Sequence, residues 1–135
     1  MREISFRAWD SYQNKMYDWN ELIRMDIKNY LSLSNLLNGF IGHITPMQST
    51  GLKDKHGKMI FEGDVLTPHF YADYTKDNRF KCEILFKNGM FCFGINKPFI
   101  DTLDSLHASL KRGKKAGNDY IVIGNKWENP ELLKQ

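Results

Sequence analysis

Acidic side chains and a histidine lie close together in residues 49–66, whose sequence is STGLKDKHGKMIFEGDVL. His56, Glu62 and Asp64 could act in acid–base catalysis or bind a metal ion if they converged on one point. The alternative is two tight turns, one around His56 and one at Glu62-Gly63-Asp64, in which glycine adopts positive φ and aspartate accepts backbone hydrogen bonds. Because no second cluster of carboxylates or histidines lies nearby in sequence, we expect the turns.

The other histidines and the two cysteines show no spacing that predicts a metal site or a nucleophile. The histidines form neither HxH nor HExxH and stand at His43, His56, His69 and His107. Cys82 and Cys92 form no CxxC pair, so we interpret them as reduced thiols of the core. The sequence also lacks the glycine loops that hold phosphates and the GxSxG elbow. We therefore expect no catalytic residues, no cofactor and no metal, and so a protein that is not an enzyme.

A basic cluster is the one feature that favours binding of an anionic partner. Four cations occupy five consecutive positions: Lys111, Arg112, Lys114 and Lys115. Without them the net charge of +3 becomes −1, since 15 basic residues would remain of 19, against 16 acidic ones. Such a cluster binds nucleic acid by releasing counterions, and Tyr71, Tyr74, Tyr120 and Trp127 could stack on single-stranded bases. The alternative is a solvated helix end.

Length and composition predict a folded protein with its own core. The 135 residues suit one domain, and a content of 41% hydrophobic and 26% charged residues is typical of a globular chain. No segment approaches the roughly 18 apolar residues of a membrane span, and the first residues lack the apolar stretch of a signal peptide. We therefore expect a cytoplasmic protein without membrane association.

The first 50 residues are predicted to form mainly strands. In EISFRAWD, residues 3–10, apolar and polar side chains alternate as in a half-buried strand, and the polar residues 10–14 predict a hairpin turn. Leu22, Ile23, Met25 and Ile27 fit a strand or a short helix about equally well. The alternation in YLSLS, residues 30–34, favours a strand, and Asn38-Gly39 is typical of a turn. Pro46 suits a strand edge better than a ladder interior.

The sequence FKCEILFKNGMFCFGI, residues 80–95, is predicted to be a hairpin because Asn88-Gly89 suits a type I′ turn. In that register Lys87 faces Met90, and the facing pairs continue to Cys82 and Ile95. One face then carries seven apolar side chains, which we expect in the core: Phe80, Cys82, Ile84, Phe86, Phe91, Phe93 and Ile95. Cys92 lies on the other face, so the register forbids a disulfide with Cys82.

The last third of the chain is predicted to hold the best helix and a final strand. Leu103, Leu106 and Leu110 have helical spacing after Asp101 or Thr102 as N-cap, and Gly113 ends the helix. DYIVIGN then predicts a strand, and Pro130 opens a short helical turn. The three tryptophans are expected to pack in the core rather than at an interface: Trp9, Trp19 and Trp127. Trp9 lies on the Arg7 face, where it caps a second small cluster or stays partly exposed.

Three blocks of the sequence resemble the YopX family of phage and prophage proteins. They are REISFRAWD with NKMY at the start, QSTGLKDKHGKMIFEGDVL in the middle, and YIVIGNKWENPELL at the end. The resemblance implies a β-rich protein with an SH3-like barrel or roll, in agreement with the predicted hairpins. We accordingly expect a mainly β fold with a helical insertion near 101–112. Residues 1–135 would form one domain, in which residues 96–118 could form a smaller subdomain.

The resemblance also shapes the expected function. It implies a protein encoded by a phage or prophage that acts in the bacterial cytoplasm, and it supplies no catalytic residues, because the family has no established enzymatic activity. We therefore expect an accessory protein that binds a host or phage protein or forms a homo-oligomer. The alternative is a nucleic-acid-binding module that uses residues 111–115.

Overall fold

The computed structural model describes residues 4–68, 81–87, 90–95, 99–102 and 120–133. In these ranges the protein is mainly β, with two short α helices and antiparallel sheets, consistent with the predicted β-rich barrel or roll. The strands are β1 (Phe6–Asp10), β2 (Lys15–Tyr17), β3 (Ile44–Lys53), β4 (Met59–Phe61), β5 (Asp64–Pro68), β6 (Cys82–Lys87), β7 (Met90–Ile95), β8 (Phe99–Thr102) and β9 (Tyr120–Asn125). The chain divides into two compact units, Met1–Ser49 and Thr50–Gln135.

The first unit begins with the predicted hairpin. Strands β1 and β2 pair antiparallel, with Trp9 opposite Met16, and the Asp10 carboxylate holds the turn by accepting the N–H groups of Tyr12 at 2.9 Å and Gln13 at 3.1 Å. β1 is not half-buried as predicted, because Arg7 and Trp9 on its second face are buried as well. The hairpin is confirmed, and the expected exposure of one face is wrong.

Strand β3 pairs with β1 through its first half, with Pro46 opposite Ala8. The N–H of Ser49 donates to the C=O of Ser5 at 2.9 Å, so residues 5 and 49 form a hydrogen-bonded pair. Because such pairs alternate along an antiparallel ladder, Pro46 and Ala8 form a non-hydrogen-bonded pair. The N–H that proline lacks is therefore not needed for pairing with β1, which explains how Pro46 fits inside a strand.

Two helices follow the hairpin, α1 (Trp19–Ile27) and α2 (Leu33–Leu37). Asp18 caps α1 through its carboxylate, which accepts the N–H of Glu21 at 2.8 Å, and Ser32 caps α2 by accepting the N–H of Asn35 at 3.2 Å. The strand predicted at YLSLS is therefore wrong. Of the two serines that suggested an alternating strand, Ser32 instead caps the helix and Ser34 lies within it, and Leu33 and Leu36 have helical spacing.

The helices pack one side against the strands of the first unit. Six buried side chains form this core: Ala8, Tyr17, Leu22, Leu31, Leu36 and Ile44. Partly buried apolar side chains surround them, among them Trp19, whose ring centroid lies 5.6 Å from that of Phe6. Neither helix reaches the length or apolar content of a segment that crosses a bilayer, and the same holds for all helices in the described ranges.

In the second unit a five-stranded sheet has the order β8-β7-β6-β5-β9. The predicted hairpin of β6 and β7 is confirmed residue by residue, from Lys87 opposite Met90 to Cys82 opposite Ile95. β9 and the final helical turn at Pro130–Leu133 are also confirmed. The second half of β3 and the short strand β4 complete the strands of this unit.

The core of the second unit contains Ile60, Leu66, Cys82 and Ile84, each almost fully buried. Half of Phe86 is exposed, so the predicted core face of the hairpin does not extend to its end. Phe80 and the side chains of Phe93 and Ile95 lie outside the part of the molecule that the structure describes. Asp101 and Thr102, the predicted N-cap residues of the helix, are the last two residues of β8. The other residues of the predicted helix lie outside the described ranges.

Candidate functional site

The first predicted turn of the acidic segment is organised by a single carboxylate. Asp54 Oδ1 accepts the N–H groups of His56 at 2.9 Å and Lys58 at 2.8 Å. Gly57 has a φ of 82°, which permits the chain to reverse between β3 and β4. The prediction of a turn here is confirmed, and the carboxylate that forms it is Asp54, which the sequence did not single out.

The second predicted turn connects β4 to β5 in two residues. Gly63 has a φ of 87°, and its N–H donates to the C=O of Ile84 at 2.8 Å while its C=O accepts the N–H of Lys126 at 2.9 Å. Asp64 is buried, and its Oδ2 accepts the N–H of Phe61 at 2.8 Å. The turn is confirmed, and its glycine joins three segments of the chain.

The middle and C-terminal blocks of the sequence meet along strand β9. Asp54 Oδ2 accepts the N–H of Val122 at 3.1 Å, and the N–H of Lys55 donates to the C=O of Tyr120 at 3.0 Å. These groups lie on the side of β9 that faces away from β5, where the strand would otherwise present unpaired backbone. The loop after β3 thus covers this edge and protects it from pairing with other chains.

The residues after β9 form a small polar network beside a partly buried tryptophan. Asn125 Oδ1 accepts the N–H groups of Trp127 and Glu128, at 3.0 and 2.8 Å. Lys126 Nζ lies 4.8 Å above the Trp127 ring and 3.8 Å from Glu83 Oε1. Burial raises the pKa of the Glu83 carboxyl, and the Lys126 charge offsets this only in part. Because the Lys126 ammonium already contacts both an aromatic ring and a carboxylate, we interpret these contacts as structural.

The sequence-predicted chemical residues do not converge in the described ranges. No three or more His, Cys, Asp or Glu side chains there are grouped as metal ligands. Burial raises the pKa of the Cys82 thiol to about 12, which suits an inert core cysteine. His69, His107 and the predicted basic site lie outside the described residues, the latter comprising Lys111, Arg112, Lys114 and Lys115.

The tryptophans take packing positions. Trp9 is buried, and Trp19 is half-buried against the first core. Trp127 is half-buried beneath the Lys126 ammonium. The expectation of core packing is confirmed for Trp9 and Trp19, whereas Trp127 is half-buried outside both core clusters.

A different set of apolar side chains is exposed, around the two helices of the first unit. Ile27 is 73% exposed, Tyr30 is 78%, Leu37 is 40% and Phe40 is 75%. We call these four residues the α1–α2 surface. Tyr12 is also 79% exposed, although its ring stacks on His43 with 4.2 Å between centroids. Large exposed apolar patches are typical of binding surfaces.

The α1–α2 surface lies in the longest uncharged run of the chain. No Asp, Glu, Lys or Arg occurs from Asn29 to Leu52, although 26% of the whole sequence is charged. Depletion of charge together with exposed Tyr and Phe is the composition of an interface core. Sequence reasoning missed this surface because residues 30–34 were interpreted as a strand, yet the uncharged run was readable as a signal.

Fold and site together define a mainly β protein whose acidic turns are structural and which exposes four large apolar side chains around a helical pair. The chain belongs to the YopX family, because the family model described as YopX protein matches residues 5–134. It is also similar to the crystal structure of protein EF1440 from Enterococcus faecalis. That similarity has 30% sequence identity and a TM-score of 0.60, and covers 99% of this chain and 100% of the other. No curated protein matched.

Proposed function

We propose that this chain is an accessory protein of phage or prophage origin that acts without catalysis, by binding a host or phage protein or a second copy of itself. The single observation that supports this is the α1–α2 surface, where Tyr30 and Phe40 remain largely exposed in an uncharged segment. Tyr and Phe are enriched in interface cores, where a few central side chains supply most of the free energy of binding.

The test is capture of partners by the tagged full-length chain during prophage induction in the native host. The double variant Tyr30→Ser/Phe40→Ser removes the two most exposed rings of the α1–α2 surface. Phe86→Ser is the matched control, because it removes an aromatic ring that is half exposed in the second unit. We expect the wild type and the control to retain the same partner and the double variant to lose it.

Two results would contradict the proposal. One is a wild-type chain that neither captures a partner nor associates with itself. The other is a double variant that is folded by circular dichroism and still captures the same partner at the same level as the wild type. Purified wild-type protein and captured partner should also bind directly, which separates a specific contact from non-specific adsorption.

A second candidate function is binding of nucleic acid through residues 111–115. The four cations in five positions favour it, because neutralising phosphates with a local cluster makes affinity fall steeply with salt. Replacing Lys111, Arg112, Lys114 and Lys115 with serine should weaken binding to single-stranded DNA or RNA and flatten its salt dependence. Absence of binding by the wild type at low salt would exclude this candidate.

A further inference from the structure

The loop between β3 and β4 carries every charged side chain of a long stretch of the sequence. Residues 29–61 contain four such side chains, and all of them lie in residues 53–58, which we call the β3–β4 loop: Lys53, Asp54, Lys55 and Lys58. Three cations and one carboxylate give the loop a formal charge of +2. The three lysines and His56 are exposed, so the positive charge lies at the surface.

The β3–β4 loop is closed by hydrogen bonds between backbone groups and the Asp54 carboxylate. The N–H of Asp54 donates to the C=O of Lys58 at 2.8 Å, and the N–H of Gly57 donates to the C=O of Asp54 at 3.0 Å. Both oxygens of Asp54 accept backbone N–H groups, from His56 and Lys58 at Oδ1 and from Val122 at Oδ2. Because the backbone is already ordered, binding a ligand here costs little further conformational entropy.

The residue types of the β3–β4 loop favour phosphate groups as its ligands. A lysine ammonium binds phosphate oxygens as a point charge, whereas recognition of carboxylates favours the bidentate guanidinium of arginine, which the loop lacks. Stable binding of a basic segment to a membrane also needs apolar or lipid anchors, and residues 53–58 contain no apolar side chain. Several lysines in one loop suit the closely spaced phosphates of a nucleic acid.

We propose that the β3–β4 loop is a nucleic-acid-binding site, in which Lys53, Lys55 and Lys58 contact backbone phosphates without reading the base sequence. This site is additional to the α1–α2 surface. It deepens the second candidate function, on which it rests, by assigning the binding of nucleic acid to residues within the described ranges. Because each neutralised phosphate releases counterions, the affinity of this site falls as salt rises.

The test measures binding of fluorescein-labelled single-stranded and duplex DNA by fluorescence anisotropy, between about 50 and 200 mM salt. Lys53→Gln/Lys55→Gln/Lys58→Gln, the loop variant, should bind at least ~10-fold more weakly than the wild type at the lowest salt. The slope of log K against log salt should fall in magnitude by about 2 to 3, because three phosphate contacts are lost. The hydrogen bonds that close the loop use none of the replaced side chains, so we expect the variant to fold, as circular dichroism can verify.

The matched control removes the same amount of charge from other elements. Arg24→Gln/Lys28→Gln/Lys87→Gln replaces three exposed cations and should weaken binding far less than the loop variant does. If the loop variant does not fold, Lys53→Gln and Lys58→Gln are measured singly, and each should lower the slope by about 0.7 to 0.9.

Four results would overturn the inference. The first is a wild type that binds neither DNA at the lowest salt. The second is a folded loop variant with the affinity and slope of the wild type. The third is a control variant that loses as much affinity as the loop variant. The fourth is a loop variant that binds DNA normally but no longer binds anionic phospholipid vesicles or polyglutamate, which would assign the loop to another class of ligand.

The serine variant of residues 111–115 separates this inference from the second candidate function. If that variant binds DNA more weakly while the loop variant binds normally, the loop is wrong and the second candidate stands. If the loop variant alone binds more weakly, the inference stands and residues 111–115 are excluded. Weaker binding by both variants supports both sites, and a wild type that binds no nucleic acid refutes both.

Discussion

At the scale of single residues, Asp54 does most to shape the segment that first suggested catalysis. Its carboxylate accepts three backbone N–H groups, two from its own loop and one from Val122, which is 68 residues away in sequence. A buried or partly buried N–H that loses its acceptor costs about 1 to 3 kcal/mol. The role of this aspartate is therefore to stabilise the loop and the edge of β9.

Asp54→Asn should lower the free energy of unfolding by about 1 to 3 kcal/mol, because the new amide group presents a donor where the carboxylate accepted. Urea denaturation followed by circular dichroism measures the change. Glu131→Gln, at an exposed carboxylate of the last helical turn, is the matched control and should have little effect. Equal stability of the Asp54 variant and wild type would show that the hydrogen bond from Val122 to Asp54 Oδ2 contributes nothing.

The pKa of Glu83 gives a prediction with a definite sign. Burial raises the pKa of this carboxyl above its ordinary value, so the folded state holds the proton more tightly than the unfolded state. The stabilisation is complete below about pH 4 and is lost as pH rises through the higher pKa of the folded state. Glu83→Gln should therefore become more stable relative to the wild type between about pH 4 and 7.

Urea denaturation at several pH values measures that difference, and Lys126→Met supplies a second variant. Because the Lys126 charge lowers the pKa of Glu83, its removal should steepen the pH dependence. A difference between Glu83→Gln and wild type that stays constant over this range would refute the prediction.

At the scale of elements, the packing of the last helical turn on β9 depends on the absence of a side chain at Gly124. A Cβ at this position would lie 2.5 Å from Asn129 Oδ1 and 2.7 Å from Leu132 Cδ1. Asn129 cannot move freely, since its Oδ1 accepts the N–H of Asn125 at 3.2 Å and its N–H donates to the C=O of Asn125 at 2.9 Å.

Gly124→Ala should lower the free energy of unfolding by about 1 to 3 kcal/mol through overpacking. The matched control is Gly42→Ala, where nothing lies within 4 Å of the added Cβ, and this change should be neutral or slightly stabilising. Thermal and urea unfolding of both variants provide the measurement. A neutral Gly124→Ala would mean that the side chains of Asn129 and Leu132 can move aside without cost.

The elements also show what could be predicted from sequence and why. The β6–β7 register was predictable because an Asn-Gly pair predicts a two-residue loop, and a loop of that length places Lys87 opposite Met90, as observed. Helix α2 was not predictable from sequence. Alternating Leu and Ser residues are typical of a strand, but the same residues also serve as the cap and the apolar positions of a short helix. The exposure of Tyr30 and Phe40 depends on which side of α2 meets the core, and the local pattern does not specify that.

At the scale of the whole molecule, Cys82 reports on unfolding of the second unit. Its thiol is buried in the core, and its pKa of about 12 leaves almost no thiolate at neutral pH. In a Cys92→Ser chain, a thiol-specific reagent should therefore react at least ~1000-fold more slowly under native conditions than in urea, since a native domain unfolds rarely. Labelling of the native chain at nearly the denatured rate would contradict the burial of Cys82.

The pairing of β5 with β9 has a consequence for synthesis on the ribosome. Strand β5 ends at Pro68, and its partner Tyr120–Asn125 emerges more than 50 residues later. At 5 to 20 residues per second that delay is roughly 3 to 10 s. All residues of the first unit, Met1–Ser49, are synthesised before this interval, whereas β5 must wait for its partner with an open edge. A nascent chain stalled before residue 120 should thus recruit chaperones that the finished protein does not need.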